Sequence, residues 1–559
     1  MSVYQYVVVL VLAVILVTLA IDRGSEGFAF FSTLVYGTTT SLMYFVRTGY
    51  QVLPSSDSYS QFGFLREMAS TAHLTQLSFT SPIVPAIQYS LVSSWPGLQL
   101  ICLTLADVTG LPLLTVAIDL SIALYVALFI AAYALLKQIM KTWGQKMRNL
   151  SSACMAIAIS STFFDLPPDF KYNIPAEVIL FCCLIVYFQR GLLGRRVNTW
   201  LLIVGTSGIV VIHNLTSLAW VFYTLTILLA YLLVNVNKAT LRIPFGRGLN
   251  TESAEMAWVS NVAVVVTIST IAWWVFFAIG VTSSFSSAFQ YLTVLFSTPE
   301  TGISPFQASI LSLQTPWWIL AVVRFRNALF VFLLAVGSLI LVVRGRRFNS
   351  FLRLALFIAL ILALGSVVSS HILPEYYGLL LQIPLLSFIV LLPLVLLLNH
   401  HQNIGRFLMV AIVGIFLFSS AVSFWGNTYA PTYIFTPNQA PSSIGEHPTT
   451  WTVAENYFMS FGTPRCLTTN EEYVTSMSVP VTRWNSISGL WQKLPGVGCV
   501  LVEYKGLNAS ASYVGEVSQT YTGFSYAQFN DYLETHAQQV FSSGGRQGLG
   551  FPQMYYYYG

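Results

Sequence analysis

Long apolar runs recur through the first 425 residues of this 559-residue chain. A helix needs about 20 mostly apolar residues to cross the hydrocarbon core of a bilayer. The chain as a whole has too little charge to coat a water-soluble particle of its size, since 8% of its residues are charged against about 25% in soluble domains. The pattern therefore predicts an all-α polytopic membrane domain. It excludes a soluble enzyme, a disordered protein and a nucleic-acid binder, which needs dense basic patches.

Twelve of the apolar runs are candidate transmembrane helices. They cover residues 4–21, 28–46, 113–136, 149–164, 176–188, 200–214, 215–234, 258–280, 327–343, 352–370, 378–398 and 407–425. A further stretch, 97–106, is too short to cross and fits an interfacial or re-entrant helix. The first run lacks the basic start and the cleavage site of a signal peptide, so we expect it to be a membrane helix.

The basic residues indicate which loops face the cytoplasm. Sixteen of the 26 Lys and Arg residues lie in alternate loops, and five lie in the opposite loops of the membrane region. Cytoplasmic loops carry the excess of Lys and Arg, so the first set is predicted to be cytoplasmic. The chain is then a multi-pass protein of the cell membrane. We expect five of its segments on the extracytoplasmic side, namely 47–112, 165–175, 281–326, 371–377 and 426–559.

The chain changes character after residue 425, which predicts two domains. Residues 1–425 form the polytopic domain, with long outer loops 47–112 and 281–326, and residues 426–559 form a small extracytoplasmic domain of mixed α/β type. Within the outer domain the pattern predicts helices at Thr450–Phe458 and Tyr526–Val540, strands at Cys466–Thr469 and Cys499–Tyr504, and a final strand or a sticky tail at Tyr555–Tyr558.

Two covalent modifications are predicted for the outer domain. Cys466 and Cys499 are its only cysteines, and disulfides persist outside the cytoplasm, so we expect them to form a bond that joins the two strands; the alternative is two separate buried thiols. The tripeptide Asn508-Ala509-Ser510 fits an N-glycan acceptor, which makes Asn508 a candidate glycosylation site.

Carboxylates in two outer loops are the main candidates for catalytic residues. A charged side chain near the membrane core costs free energy, so such residues are commonly functional. Asp57 follows the second apolar run, and the next outer loop contains Asp165, Asp169 and Lys171. Three carboxylates can hold a divalent cation such as Mg²⁺ or Mn²⁺, or one can act as a general base. The structural alternatives are a helix N-cap at Asp57 and solvated loop charges in the second loop.

Further residues predicted at the outer face are candidates for substrate binding. Arginine side chains bind the oxygen atoms of an anionic phosphate, and His or Glu side chains can form hydrogen bonds with an acceptor. They are Lys171, His213, Arg324, Arg326, His371 and Glu375. A partly buried, hydrogen-bonded histidine is the alternative for His213, and headgroup anchoring is the alternative for the two arginines.

These features together resemble the GT-C glycosyltransferases. The resemblance depends on two outer loops with acidic residues, a long first loop followed by Trp95-Pro96-Gly97, many membrane helices and a C-terminal outer domain. It covers the layout of residues 40–400, and the relatives in view are oligosaccharyltransferases, protein mannosyltransferases and aminoarabinose transferases. It implies transfer of a sugar from a polyprenyl-phosphate carrier to a glycan, lipid or protein acceptor, with Asp57 as the first-loop acid and Asp165 or Asp169 as the second.

Two departures narrow the resemblance. Gln61 occupies a position where related sequences often have His, and the tail lacks the Trp-Trp-Asp-Tyr-Gly signature of oligosaccharyltransferases. The missing signature argues against transfer of whole glycans to asparagine. Two other functions remain open at this point: a non-catalytic GT-C-like scaffold that binds a protein partner through its outer domain, and a transporter with Asp119 on an ion path.

Overall fold

The structure is a computed structural model of the full chain. It describes residues 11–12, 15–21, 23–47, 53, 56–71, 95–139, 152–154, 156, 168–188, 195–239, 253–277, 402–428, 466–468, 482–483, 499–502, 537–542 and 553–557, and ten scattered residues between 321 and 336.

Most of the described residues are helical. The helices are α1 (Glu26–Arg47), α2 (Ser56–Thr71), α3 (Gly97–Thr109), α4 (Leu113–Ile139), α5 (Asn173–Phe188), α6 (Arg195–Ile212), α7 (Asn214–Ala239), α8 (Ser253–Phe276) and α9 (Gln402–Thr428). Within the described residues, Leu113–Gln138 and Met256–Phe276 are long and apolar enough to cross a membrane. Helices α1 and α4 to α9 coincide with predicted apolar runs, so the helical membrane domain is supported. The runs 352–370 and 378–398 lie outside the described residues, and the number twelve stays a prediction.

The short apolar stretch predicted to be interfacial forms α3, a helix separate from α4. Gly110 ends α3 with φ of 69° and donates its N–H to the Ala106 carbonyl at 2.8 Å. That left-handed conformation favours glycine because a Cβ would meet the following carbonyl. Pro112, which cannot continue a helix, stands just before α4.

The helices pack around α5, which contacts α4 on one side and α6 on the other. Leu180, Phe181 and Leu184 of α5 are buried in the main apolar core. Many large apolar side chains on the outside of α6 and α8 are exposed instead, among them Val204 and Ile268. Apolar faces on both the inside and the outside of a helix bundle fit a protein surrounded by lipid.

The described strands of the C-terminal region form one mixed sheet. They are β1 (Cys466–Thr468), β2 (Thr482–Arg483), β3 (Cys499–Val502), β4 (Ala537–Ser542) and β5 (Gln553–Tyr557), in the order β2-β1-β3-β5-β4. Strand β1 is parallel to β2 and β3, whereas β5 is antiparallel to β3 and β4.

The sheet confirms three predicted strands and corrects one helix. Strands occur at 466–468, at 499–502 and in the tyrosine-rich tail at 553–557. The predicted helix Tyr526–Val540 is wrong at its end, because residues from Ala537 onward form β4 and pair with β5. The amphipathic spacing there fits a half-buried strand as well as a helix, and pairing with the tail decides between them.

The two cysteines of the C-terminal region occupy one register position in the sheet. Cys466 pairs with Cys499 across the parallel strands β1 and β3, and neighbouring strands lie about 4.8 Å apart. The disulfide itself stays a prediction, which mass spectrometry of non-reduced peptides can check. Asn508 and the predicted helix Thr450–Phe458 lie outside the described residues, and the mixed α/β domain as a whole stays a prediction.

Candidate functional site

The first predicted acid, Asp57, stands in the first turn of α2. The helix begins at Ser56, so Asp57 is its second residue and directly precedes the fully buried Ser58. Negative charge is favourable at this position because it faces the positive end of the helix dipole. The partner acid Asp165 lies outside the described residues.

Ser58 joins the segment that contains Asp57 to the segment that contains Asp169. Its hydroxyl donates to Asp169 Oδ1 at 2.9 Å and accepts the Phe170 N–H at 2.9 Å. Both bonds cross more than 100 residues of sequence, and both are buried. The start of α2, where Asp57 stands, is therefore fixed against the loop that carries Asp169.

Lys171 completes what we call the Asp169 cluster, formed by Ser58, Asp169, Phe170 and Lys171. Lys171 Nζ lies 2.8 Å from Asp169 Oδ2, and the Lys171 N–H donates to the Asp169 carbonyl at 2.9 Å. Both carboxylate oxygens of Asp169 thus have partners, Ser58 on one and Lys171 on the other. A carboxylate bound in this way is suited to hold the two loops together rather than to accept a proton or to ligate a metal.

Two buried residues that the sequence analysis missed stand beside this cluster. Tyr125 of α4 interacts electrostatically with Asp169, Lys171 and Glu177. Glu177 of α5 is 3% exposed; its Oε1 accepts a long 3.5 Å bond from Asn173, and its Oε2 has no hydrogen-bond partner in the described part of the chain. A buried carboxyl with a vacant oxygen is costly and is typical of functional sites. The sequence does contain a signal for Glu177, because it is the only charged residue among the 16 residues of the apolar helix α5.

His213 stands between α6 and α7, as the sequence predicted, and caps α7. Its Nδ1 accepts the N–H of Thr216 at 3.3 Å and lies 2.7 Å from the Thr216 hydroxyl. Its ring lies 4.7 Å from that of Tyr172, which follows the Asp169 cluster. Burial lowers the pKa of His213 to about 3, so the imidazole is neutral at physiological pH. These contacts favour the alternative of a hydrogen-bonded, buried histidine.

Helix α3 closes a ring of contacts around these residues. The Gln99 side chain donates to that of Gln61, which stands three residues after Ser58 on α2. Residues three apart lie on the same face of a helix. At Gly97 a Cβ would overlap Ile212 Cγ1, next to His213. The ring therefore runs from α2 to the Asp169 cluster, to the turn at His213, to the start of α3 and back to α2.

The remaining predicted residues are only partly described. Arg326 is buried, whereas Arg324, His371 and Glu375 lie outside the described residues. Asp119 is exposed on α4, so in the described bundle it does not lie on an interior path of the kind a transporter needs.

The described residues do not fit a divalent cation. They contain no group of three His, Cys, Asp or Glu side chains that could share one. Asp169, the one predicted ligand whose side chain is described, is already paired with Lys171. The predicted metal site would have to be formed by Asp57 and Asp165, and it stays a prediction.

Comparisons with known proteins find structural likeness only. No protein-family model matches the chain, and no curated protein matches it in sequence. Among solved structures, the chain is similar to the Archaeoglobus fulgidus oligosaccharyltransferase in complex with zinc and sulfate, at 10% identity and a TM-score of 0.48, over 85% of this chain and 68% of that one.

Two other structures show a similar degree of likeness. One is the archaeal oligosaccharyltransferase AglB from Archaeoglobus fulgidus with an inhibitory peptide and a dolichol-phosphate, at 12% identity and a TM-score of 0.46, over 87% of this chain and 70% of that one. The other is ArnT from Cupriavidus metallidurans bound to undecaprenyl phosphate, at 10% identity and a TM-score of 0.34, over 93% and 97%.

Proposed function

We propose that this protein is an integral membrane glycosyltransferase that moves a sugar from a polyprenyl-phosphate carrier to an acceptor at the outer membrane face. The observation that carries the proposal is the buried contact of Ser58 with Asp169. It ties the helix start that bears Asp57 to the second acidic loop, as a cleft formed by both loops requires.

In the proposed reaction Asp57 acts as the base. Its carboxylate takes the proton of an acceptor hydroxyl while the hydroxyl oxygen forms a bond to the anomeric carbon of the sugar. The bond from that carbon to the carrier phosphate breaks, and the phosphate leaves with the electron pair. No nucleotide is needed at the outer face.

The neighbouring residues have supporting roles in this proposal. Asp169 and Lys171 hold the start of α2 in place, which keeps Asp57 oriented without competing for the proton. Glu177 is proposed to act only through its neighbours in the protein, because its Oε2 is buried and closed to a substrate. Lys171 remains about 29% exposed at its side chain and can also meet the carrier phosphate.

The proposal is tested by replacing Asp57 in cells that depend on this gene for a surface glycan. Asp57→Asn removes the base and keeps the side-chain shape, so glycan transfer should fall about 100-fold or more. Asp107→Asn is the matched control, since Asp107 is exposed near the end of α3. Its glycans should be unchanged.

The outcome that overturns the proposal is unchanged surface glycan in the Asp57→Asn strain at normal protein level. That result would leave the non-catalytic scaffold as the better interpretation. Mass spectrometry of released glycans and immunoblotting of the protein supply the two measurements.

A further inference from the structure

A buried pair of amide side chains joins α2 to α3, and the proposed reaction assigns no role to it. Gln99 is fully buried, Gln61 is 2% exposed, and the Gln99 amide donates to Gln61 Oε1. The two residues stand 38 positions apart in the sequence, so the bond fixes how two separate helices meet. Apolar contacts, such as those of Leu65 and Leu98 in the main core, have no preferred direction, whereas a hydrogen bond has one.

Stability alone does not explain this amide pair. Gln99 Oε1 is buried and has no hydrogen-bond partner in the described part of the chain. A buried polar atom without a partner costs free energy, and two apolar side chains of the same size would avoid that cost. Buried polar groups can fix the register between packed helices at some loss of stability. The pair therefore fits a role in orienting α2 rather than in stabilising it.

The amide pair acts on the part of α2 that carries Asp57. Gln61 stands four residues after Asp57 and three after Ser58, and residues at these spacings share one face of a helix. The bond of Ser58 to Asp169 fixes one point on that face, but a helix held at one point can still turn about it. The bond from Gln99 meets the same face about 4.5 Å further along the axis, which fixes the direction of the first turn.

Helix α3 is a firm base for this bond. A Cβ at Gly97 would lie 3.2 Å from Ile212 Cα and would overlap Ile212 Cγ1, so α3 begins directly against the end of α6. Trp95, two residues earlier, packs against Trp273 of α8. Gln99, in the first turn of α3, is therefore held against two helices of the bundle, and its bond to Gln61 extends that support to α2.

We propose that Gln61 and Gln99 are positioning residues that orient Asp57 through the backbone of α2. The inference rests on the proposed function, in which Asp57 is the base. Both amides are buried, so they act without touching the substrate, by keeping the first turn of α2 at the distance and angle that proton transfer needs. A displacement of about 1 Å can lower a rate about 100-fold, so loss of the bond should slow transfer more than it destabilises the chain.

The test uses methionine to separate orientation from stability, since methionine is about as long as glutamine and offers no strong donor or acceptor. Gln61→Met leaves the buried Gln99 amide without its acceptor and should lower both the melting temperature and glycan transfer. The double variant Gln61→Met with Gln99→Met removes both amides, so its melting temperature should return to that of the wild type. Its transfer should stay at least about tenfold lower, because the directional bond is still absent.

Two further variants provide a rescue and a matched control. Gln61→His presents a ring nitrogen at about the reach of the glutamine oxygen, so it can accept the Gln99 N–H and should restore most of the transfer. Gln138→Met makes the same exchange at a half-buried position in the last turn of α4 and should leave transfer unchanged. Released surface glycans per amount of protein give transfer in cells that depend on this gene, and thermal unfolding of the full chain in detergent gives the melting temperature.

Hydrogen exchange of the full chain gives a measurement that does not depend on the role of Asp57. The backbone N–H groups of residues 56–61 should exchange faster in the double methionine variant than in the wild type, and at the wild-type rate in Gln138→Met. Unchanged exchange in the double variant would overturn the inference, because the first turn of α2 would then be fixed without the pair.

The outcomes separate this inference from the proposed function. Wild-type transfer by the double methionine variant overturns the positioning role, even where Asp57→Asn abolishes transfer. A loss of transfer that follows the melting temperature in all variants, or that Gln61→His does not relieve, also overturns it. Reduced transfer at the wild-type melting temperature, with recovery in Gln61→His, supports it. Unchanged transfer in Asp57→Asn, with faster exchange in the double variant, overturns the proposed function and supports the orientation of α2 by the pair.

Discussion

Two polar clusters meet on α2 and differ in how their hydrogen bonds are satisfied. In the Asp169 cluster both carboxylate oxygens have partners, and the Ser58 hydroxyl both donates and accepts. At the start of α3, by contrast, three backbone amides and the Trp95 indole have no acceptor among the described residues.

This difference indicates different roles. A buried polar network that is fully satisfied makes a local structure rigid and unique. A buried group that lacks a partner lowers stability. We therefore infer that the Asp169 cluster supports the local structure of the site, whereas the unpartnered groups at the start of α3 do not. Removal of a group should therefore cost more stability in the Asp169 cluster, where hydrogen bonds are lost, than at the start of α3, where only packing is lost.

The largest effect is expected at Asp169. Asp169→Ala leaves Lys171 without its ion partner and Ser58 without its acceptor, so the free energy of unfolding should fall by about 3 kcal/mol. Thermal unfolding of the full chain in detergent measures it. Asp119→Ala, at an exposed position on α4, serves as the control and should change little. An equal loss in the two variants would contradict the supporting role.

A smaller loss is expected at Ser58. Ser58→Ala removes the donor to Asp169 and leaves the buried Phe170 N–H without an acceptor, which should cost about 2 kcal/mol. Ser121→Ala is the matched control, because the buried Ser121 hydroxyl bonds only to the Ala117 carbonyl of its own helix. If the two alanine variants melt alike, the bond between the loops does not support the site.

His213, which lies beside the Asp169 cluster, makes the stability of the folded chain depend on pH in the acid range. Burial lowers its pKa to about 3, below the ordinary value of 6.5, so the unfolded chain binds a proton that the folded chain excludes. Its contribution is complete above pH 6.5 and is lost as the pH falls toward 3, by about 1 kcal/mol at pH 5.5. His213→Asn keeps an N-cap acceptor that does not titrate. The variant should therefore melt with a smaller shift between pH 7 and 5.5 than the wild type, and identical shifts would contradict the assignment.

The sequence predicts the parts of this site but not their contacts. Apolar runs locate α4, α7 and α8, and the break between two runs locates His213, because both signals are local. The bond between Ser58 and Asp169 joins residues 111 positions apart and depends on how the helices pack, which no local pattern specifies. Glu177 is hidden by the strongly apolar helix around it. Unsatisfied donors such as the Trp95 indole become visible only when all neighbours are in place.

The smallest loss of stability is expected when Trp95 is replaced, and a small loss there would support the contrast between the two clusters. Trp95→Phe removes a buried N–H that has no acceptor, so the variant loses no hydrogen bond and gains the relief of a desolvated donor, against a small loss of packing with Trp273 and Trp274. Its unfolding free energy should fall by about 1 kcal/mol, because phenylalanine fills less of this buried position than tryptophan does while no hydrogen bond is lost. A loss of about 3 kcal/mol or more, larger than the loss expected for Ser58→Ala, would indicate that the indole already has a hydrogen-bond partner, and the contrast between the two clusters would fail.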